Sequence, residues 1–188
     1  MTDRIVITLG DPAGIGPEVA LKALGRLSAA ERKKVLLLGP GRLYSAISDK
    51  LSIKTDFQYF FTEPGPSKYS LGRPQPALTR MAVASIDLAV RLAMQNKVSA
   101  IVTAPINKAG LKEAGFRMPG HTEYLAELSG TKKFDMMLVG GPLRTVLVTR
   151  HVALKDVPRK ISRTRCGRVG LPIFFQVSRF VRSITGLG

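Results

Sequence analysis

Val98 to Thr103 is a β-branched apolar run with the length of a buried parallel strand, and Ala104-Pro105 turns the chain out of it into a loop. A strand of this kind needs helices over both of its faces, which restricts the fold to an α/β sheet. The residues after it are dense in signals. Asn107 is placed to cap a helix that starts at Lys108, and Gly115 is placed to stop it. Met118-Pro119-Gly120-His121-Thr122-Glu123 then leads into another helix, with Thr122 as the expected cap and His121 held just before it. Ligands of open α/β sheets collect beyond the carboxyl ends of strands, so Lys108 and His121 are candidate ligand contacts.

The same alternation extends in both directions. Ile5 to Leu9 reads as a first strand, Gly10 to Gly16 as a glycine-rich turn, and Pro17-Glu18 as the first turn of a helix. Such a turn is either an anion cradle or a tight strand-to-helix corner. Val19 stands where a dinucleotide fingerprint wants its third glycine, and the turn has no Walker ending. Val35 to Leu38 is a second strand, Arg42 to Leu51 a helix, and Phe57 to Phe61 a third apolar run. Thr62 to Pro76 is a long loop, and Ala77 to Asn96 the longest helix, with Ala82, Ile86, Ala89, Val90 and Ala93 on one face. Downstream, Met136 to Val139 and Thr145 to Val148 read as two further strands around Gly140-Gly141-Pro142. If these are parallel, His151 falls on the same side of the sheet as the 103–108 turn. Asp156 and Pro158 open a last helix.

Composition narrows the functional classes. A chain of 188 residues with 45% hydrophobic and 22% charged side chains has a globular balance. It carries no apolar run near the ~20 residues of a membrane span and no signal-peptide pattern at its amino end, so a cytoplasmic protein without a membrane partner is expected. The single cysteine, Cys166, excludes an internal disulfide and a thiolate metal cluster. The net charge of +16 is uneven: residues 1–158 hold 22 basic and 13 acidic side chains, whereas residues 159–188 hold 7 basic and no acidic ones. The body's excess is scattered and lacks interleaved aromatics, so solvated faces are expected and no nucleic-acid partner. The chain's 2 histidines need carboxylates to complete a three-ligand metal site.

ITLGDPAGIGPEV at 7–19, TAPINKAGLKEAG at 103–115 and GHTEYLAELSG at 120–130, with MMLVGG at 136–141 and TRHVALKDVP at 149–158, resemble the 4-hydroxythreonine-4-phosphate dehydrogenase family of pyridoxal phosphate biosynthesis. The resemblance implies an α/β/α sandwich of the isocitrate/isopropylmalate dehydrogenase type, of which only the N-terminal portion is present. It further implies a homodimer that oxidises 4-phosphohydroxy-L-threonine, a small phosphorylated hydroxy amino acid, with NAD or NADP and then decarboxylates the product. A divalent metal (zinc, magnesium or cobalt) assists as a Lewis acid. By position, His121 and Thr122 match the family's substrate-binding pair, and His151 matches the first of its three metal histidines. Other members of the family resembled are roughly twice as long as a single ~150-residue domain, and the other ligands belong to the part without a counterpart here. The expected division is therefore residues 1–160 as dehydrogenase and 161–188 as an aberrant basic tail, such as translation in another frame would produce. The alternatives are an incompetent fragment that keeps residual ligand or partner binding, or a relative acting on another phosphorylated hydroxy acid or a dihydrodiol.

Overall fold

A computed structural model describes residues 3–53, 58–60, 69–117, 120–132, 134–149 and 152–162. Its strands and helices alternate as the apolar pattern dictates. β1 (Ile5–Ile7) is followed by α1 (Gly16–Gly25) and the short α2 (Ala29–Arg32), then β2 (Val35–Leu38) and α3 (Gly41–Leu51). β3 (Gln58–Phe60), α4 (Pro76–Met94), β4 (Ala100–Val102), α5 (Lys108–Glu113) and α6 (His121–Leu128) complete the first of two compact units, which ends at Thr131.

All four strands are parallel, in the order β3-β2-β1-β4. The chain builds outward from β1 to β3 and then returns to place β4 on β1's other side, so the order reverses between β1 and β4. Period-two alternation sorts the strand side chains into two cores. Ile7, Val35 and Leu37 join Leu21 and Leu24 of α1 and Leu43 and Tyr44 of α3. Val6 and Leu38 join Ala89 of α4, with Leu36, Leu88, Leu92 and Ile101 packed around them. The sheet is thus covered on both faces, the α/β/α arrangement expected from the sequence.

Local chemistry sets the element ends. Ser28 and Glu31 form a reciprocal capping box on α2, the Ser28 hydroxyl accepting from Glu31 N while the Glu31 carboxylate accepts from Ser28 N at 2.8 Å. α3 stops at Ser52, whose φ of 53° takes it into the left-handed region. Gly39 precedes α3 with φ +143°, and a Cβ there would lie 2.7 Å from Leu9 Cδ1 and 2.9 Å from Tyr44 Cε2. Tyr44 can therefore bury its ring completely while its hydroxyl donates to Leu38 O at 3.0 Å.

The second unit starts at Lys132 and contains β5 (Met137–Gly140), β6 (Leu143–Val146), a 3₁₀ turn over Leu154–Asp156 and α7 (Val157–Lys160). The direction of these two strands, left open by the sequence, is antiparallel: β5 and β6 pair as a hairpin in a sheet of their own, with Met137 opposite Val146 and Gly140 opposite Leu143. Parallel neighbours require a crossover of a dozen or more residues, whereas only Gly141-Pro142 separate these strands, and Gly141 adopts the positive φ (53°) of a tight turn. Parallel strands, the condition for placing His151 on the side of the 103–108 turn, are therefore not met. His151 lies outside the described residues, as does nearly all of the expected tail. Among the described residues, no helix is long and apolar enough to cross a membrane.

Candidate functional site

The loops leaving β1 and β4 are joined at the point where strand order reverses. Asp11 N donates to Pro105 O at 2.8 Å, and Ala104 N donates to the Thr8 hydroxyl at 3.1 Å. Leu9 N donates to Ser85 Oγ at 3.1 Å, and that hydroxyl donates onward to Ala82 O at 2.7 Å within α4. Thr8 and Ser85 are completely buried, so each hydroxyl satisfies a backbone amide that water cannot reach. Gly10 sits at the centre with φ +68°, and a Cβ there would lie 2.6 Å from Pro105 O. A Cβ on Gly16 would come within 3.0 Å of Leu9 O and 3.2 Å of Pro105 O. Asp11 folds its own turn, its Oδ1 accepting from Ala13 N at 2.9 Å. The glycines of this corner are thus accounted for by close approach of the chain to itself, which favours the tight-corner reading over the anion cradle.

α5 carries out the expected capping: Asn107 Oδ1 accepts from Ala109 N at 2.9 Å and from Gly110 N at 3.2 Å. The chain leaves α5 through Gly115, at φ +84°. The helix is seated on α4, where a Cβ at Gly110 would lie 2.9 Å from Thr79 Oγ1. Lys108 lies in the first turn, exposed to solvent.

α6 departs from expectation at its start. Gly120, not Thr122, is the cap residue, so His121 and Thr122 both lie inside the first helical turn. The reason is conformational: Gly120 adopts the extended backbone of a cap position, although without a side chain it makes no cap hydrogen bond of its own. His121 is half-buried, and its Nε2 is cut off from solvent with no hydrogen-bond partner among the described residues. Burial holds the His121 imidazole below the ordinary histidine pKa, so the ring is neutral at neutral pH. A neutral ring offers one donor and one acceptor nitrogen, and the sealed Nε2 is a hydrogen-bonding position that the described protein groups leave unused. Three residues on, the Tyr124 hydroxyl donates to Asp87 Oδ1 of α4 at 2.7 Å, and burial together with that bond pushes the phenol's pKa up.

The structure therefore places His121 and Thr122 together on one turn, and it describes no position for His151. Among the described residues, no three His, Cys, Asp or Glu side chains converge, so these residues do not by themselves form a metal site. Sequence reasoning passed over Thr8, Ser85, Asp87 and Tyr124. The available signals were polar residues at apolar positions of a strand and a helix, and the single acid within α4.

Comparison with known proteins adds a consistent result. The family model described as pyridoxal phosphate biosynthetic protein PdxA matches residues 17–174. A 4-hydroxythreonine-4-phosphate dehydrogenase of Desulfosudis oleivorans is 41% identical, over 84% of this chain and 52% of the relative. One from Aquifex aeolicus is 34% identical, over 87% of this chain and 54% of the relative. The crystal structure of a Burkholderia phymatum 4-hydroxythreonine-4-phosphate dehydrogenase superposes with a TM-score of 0.78 at 30% identity, covering 90% of this chain and 56% of that one. The chain spans about half the length of the curated relatives it matches.

Proposed function

Because this chain belongs to the PdxA family of pyridoxal phosphate biosynthetic proteins, we propose that it supplies part of the active site of a nicotinamide-dependent dehydrogenase for 4-phosphohydroxy-L-threonine. His121 and Thr122 are the substrate contacts in this reading. The observation that carries it is the sealed, unpartnered Nε2 of His121: leaving a buried imidazole nitrogen without a partner costs free energy that a bound ligand group recovers. The Thr122 hydroxyl lies one residue on, in the same half-buried turn, and can both donate and accept. The neutral imidazole binds by hydrogen bonding rather than by charge. Glu123, an acid in the same turn, opposes a second anion there, which favours an uncharged hydroxyl or amide over a bare phosphate at the head of α6. The stapled β1 and β4 exits hold the two loops, residues 8–11 and 104–105, against each other, which lowers the ordering cost there when a ligand arrives.

The nicotinamide cofactor, NAD or NADP, accepts a hydride from the substrate's secondary alcohol when bound, and the protein's part is to orient the two. His151 is the proposed metal ligand by position in the family motif. The described residues do not by themselves complete such a site. The homodimer belongs to the same proposal.

A second reading stands on a separate observation: a Bradyrhizobium diazoefficiens protein that carries a D-threonate 4-phosphate dehydrogenase name is 35% identical over 88% of this chain. Both readings are tested by NAD(P) reduction with purified protein, added divalent metal and either phosphorylated substrate. Turnover of 4-phosphohydroxy-L-threonine that His121→Gln abolishes supports the first; turnover of D-threonate 4-phosphate alone supports the second. Absence of turnover and of binding with both identifies an incompetent fragment.

A further inference from the structure

α6 is an eight-residue helix with little to hold it. Ala126 is its one fully buried residue, and Gly120 has no side chain with which to cap it, so full burial at a single small residue does little to fix the helix's rotation about its axis. Yet His121 Nε2 is fully sealed at its head, which requires the rotation to be set closely. The bond from Tyr124 to Asp87 meets that need. Tyr124 lies three residues after His121 and so shares its face of the helix, and Asp87 belongs to the long α4, next to the completely buried Ile86 and two residues before the completely buried Ala89. A phenol donating to a carboxylate at 2.7 Å is among the stronger neutral-to-charged hydrogen bonds.

The geometry points to Tyr124 as a positioning residue: its hydroxyl, clamped to Asp87 of α4, sets the rotation of α6 and with it the direction of His121 Nε2, the nitrogen that the described protein groups leave without a partner. The inference rests on the reading of His121 as a substrate contact, and the two can fail separately.

The test is ethoxycarbonylation by diethyl pyrocarbonate at fixed pH, followed peptide by peptide by mass spectrometry. The chain has 2 histidines, so His151 serves as the internal reference for His121. Tyr124→Phe keeps the ring and removes only the hydroxyl; Asp87→Ala removes the acceptor; Asp87→Asn keeps an acceptor oxygen. Tyr124→Phe and Asp87→Ala are expected to raise the His121 rate about tenfold, as loss of a charge-assisted bond implies, with His151 unchanged. Asp87→Asn is expected to stay within about twofold of wild type. Equal His121 rates in wild type and Tyr124→Phe overturn the clamp, as does Asp87→Asn behaving like Asp87→Ala. A parallel rise at His151 marks general unfolding and also overturns it. A separate arm adds 4-phosphohydroxy-L-threonine to wild type. Slower modification of His121 supports the substrate reading, and no protection alongside an intact clamp effect overturns that reading alone.

Discussion

The two units of this chain handle apolar side chains in opposite ways. Up to Thr131, a four-stranded parallel sheet is enclosed by helices, and Val6, Leu9, Leu21, Leu37, Leu38 and Ile86 lose essentially all contact with water. From Lys132, a two-stranded hairpin leaves Leu138, Val139 and Leu143 more than half exposed, and Leu154 beyond it is 86% exposed. Every buried hydrophobic residue described belongs to the first unit. The stability of the described chain therefore resides in the parallel sheet, since an isolated hairpin is marginal at best in water. The part of the candidate site that the structure describes, on α6 and at the joined strand exits, lies in that first unit.

The sharpest test of that contrast is a pair of leucine truncations followed by denaturant unfolding. Leu37→Ala opens a cavity in a fully buried strand and is expected to cost about 2–5 kcal/mol. Leu143→Ala, at 67% exposure, is expected to change stability by less than about 0.5 kcal/mol. Similar losses at both positions would break the comparison. A second pair uses glycines that both have positive φ. Gly10→Ala combines backbone strain with a Cβ 2.6 Å from Pro105 O, and a loss of roughly 2–4 kcal/mol is expected in the same measurement. Gly141→Ala has open space around its Cβ and keeps only the strain, about 1 kcal/mol.

Within the first unit, Asn107→Ala removes the acceptor for two amides of α5 and is expected to cost ~1 kcal/mol, seen as faster amide exchange at Ala109 and Gly110. The smallest effect concerns pH. The His121 pKa is lowered on folding, so the folded state binds that proton more weakly than the unfolded chain does. The corresponding stability is present above the ordinary histidine value of 6.5 and is lost as pH falls below it toward the folded pKa. His121→Gln should flatten that part of the pH–stability curve, and an unchanged slope would show that the imidazole is not sealed in solution.

The strands at Ile5, Val35 and Ala100, the long α4 and the cap at Asn107 were all legible in the sequence because each is set by neighbours a few residues away. Apolar spacing marks a face, and Asn107 reaches only to the amides of Ala109 and Gly110. The failures were also instructive. Thr122 has the chemistry of a cap, but the extended backbone at Gly120 took that role and moved His121 into the helix. Gly140-Gly141-Pro142 is too short for a parallel crossover, a limit that decides the antiparallel direction the strand pattern alone left open.

By itself, the sequence determined an α/β sheet with helices on both faces, a dense cluster after the strand at Ala100 and, through its motifs, the family. Strand alternation and helical period are properties of the local chain and need no knowledge of what packs where. Only the tertiary structure decided that β4 pairs with β1, that Thr8 and Ser85 satisfy distant amides, that Gly10 must admit Pro105 O, and that Tyr124 reaches Asp87. Those contacts join residues 37 to 96 positions apart. No local pattern encodes which of many polar side chains meets which, because the choice is made when the sheet and helices close around them.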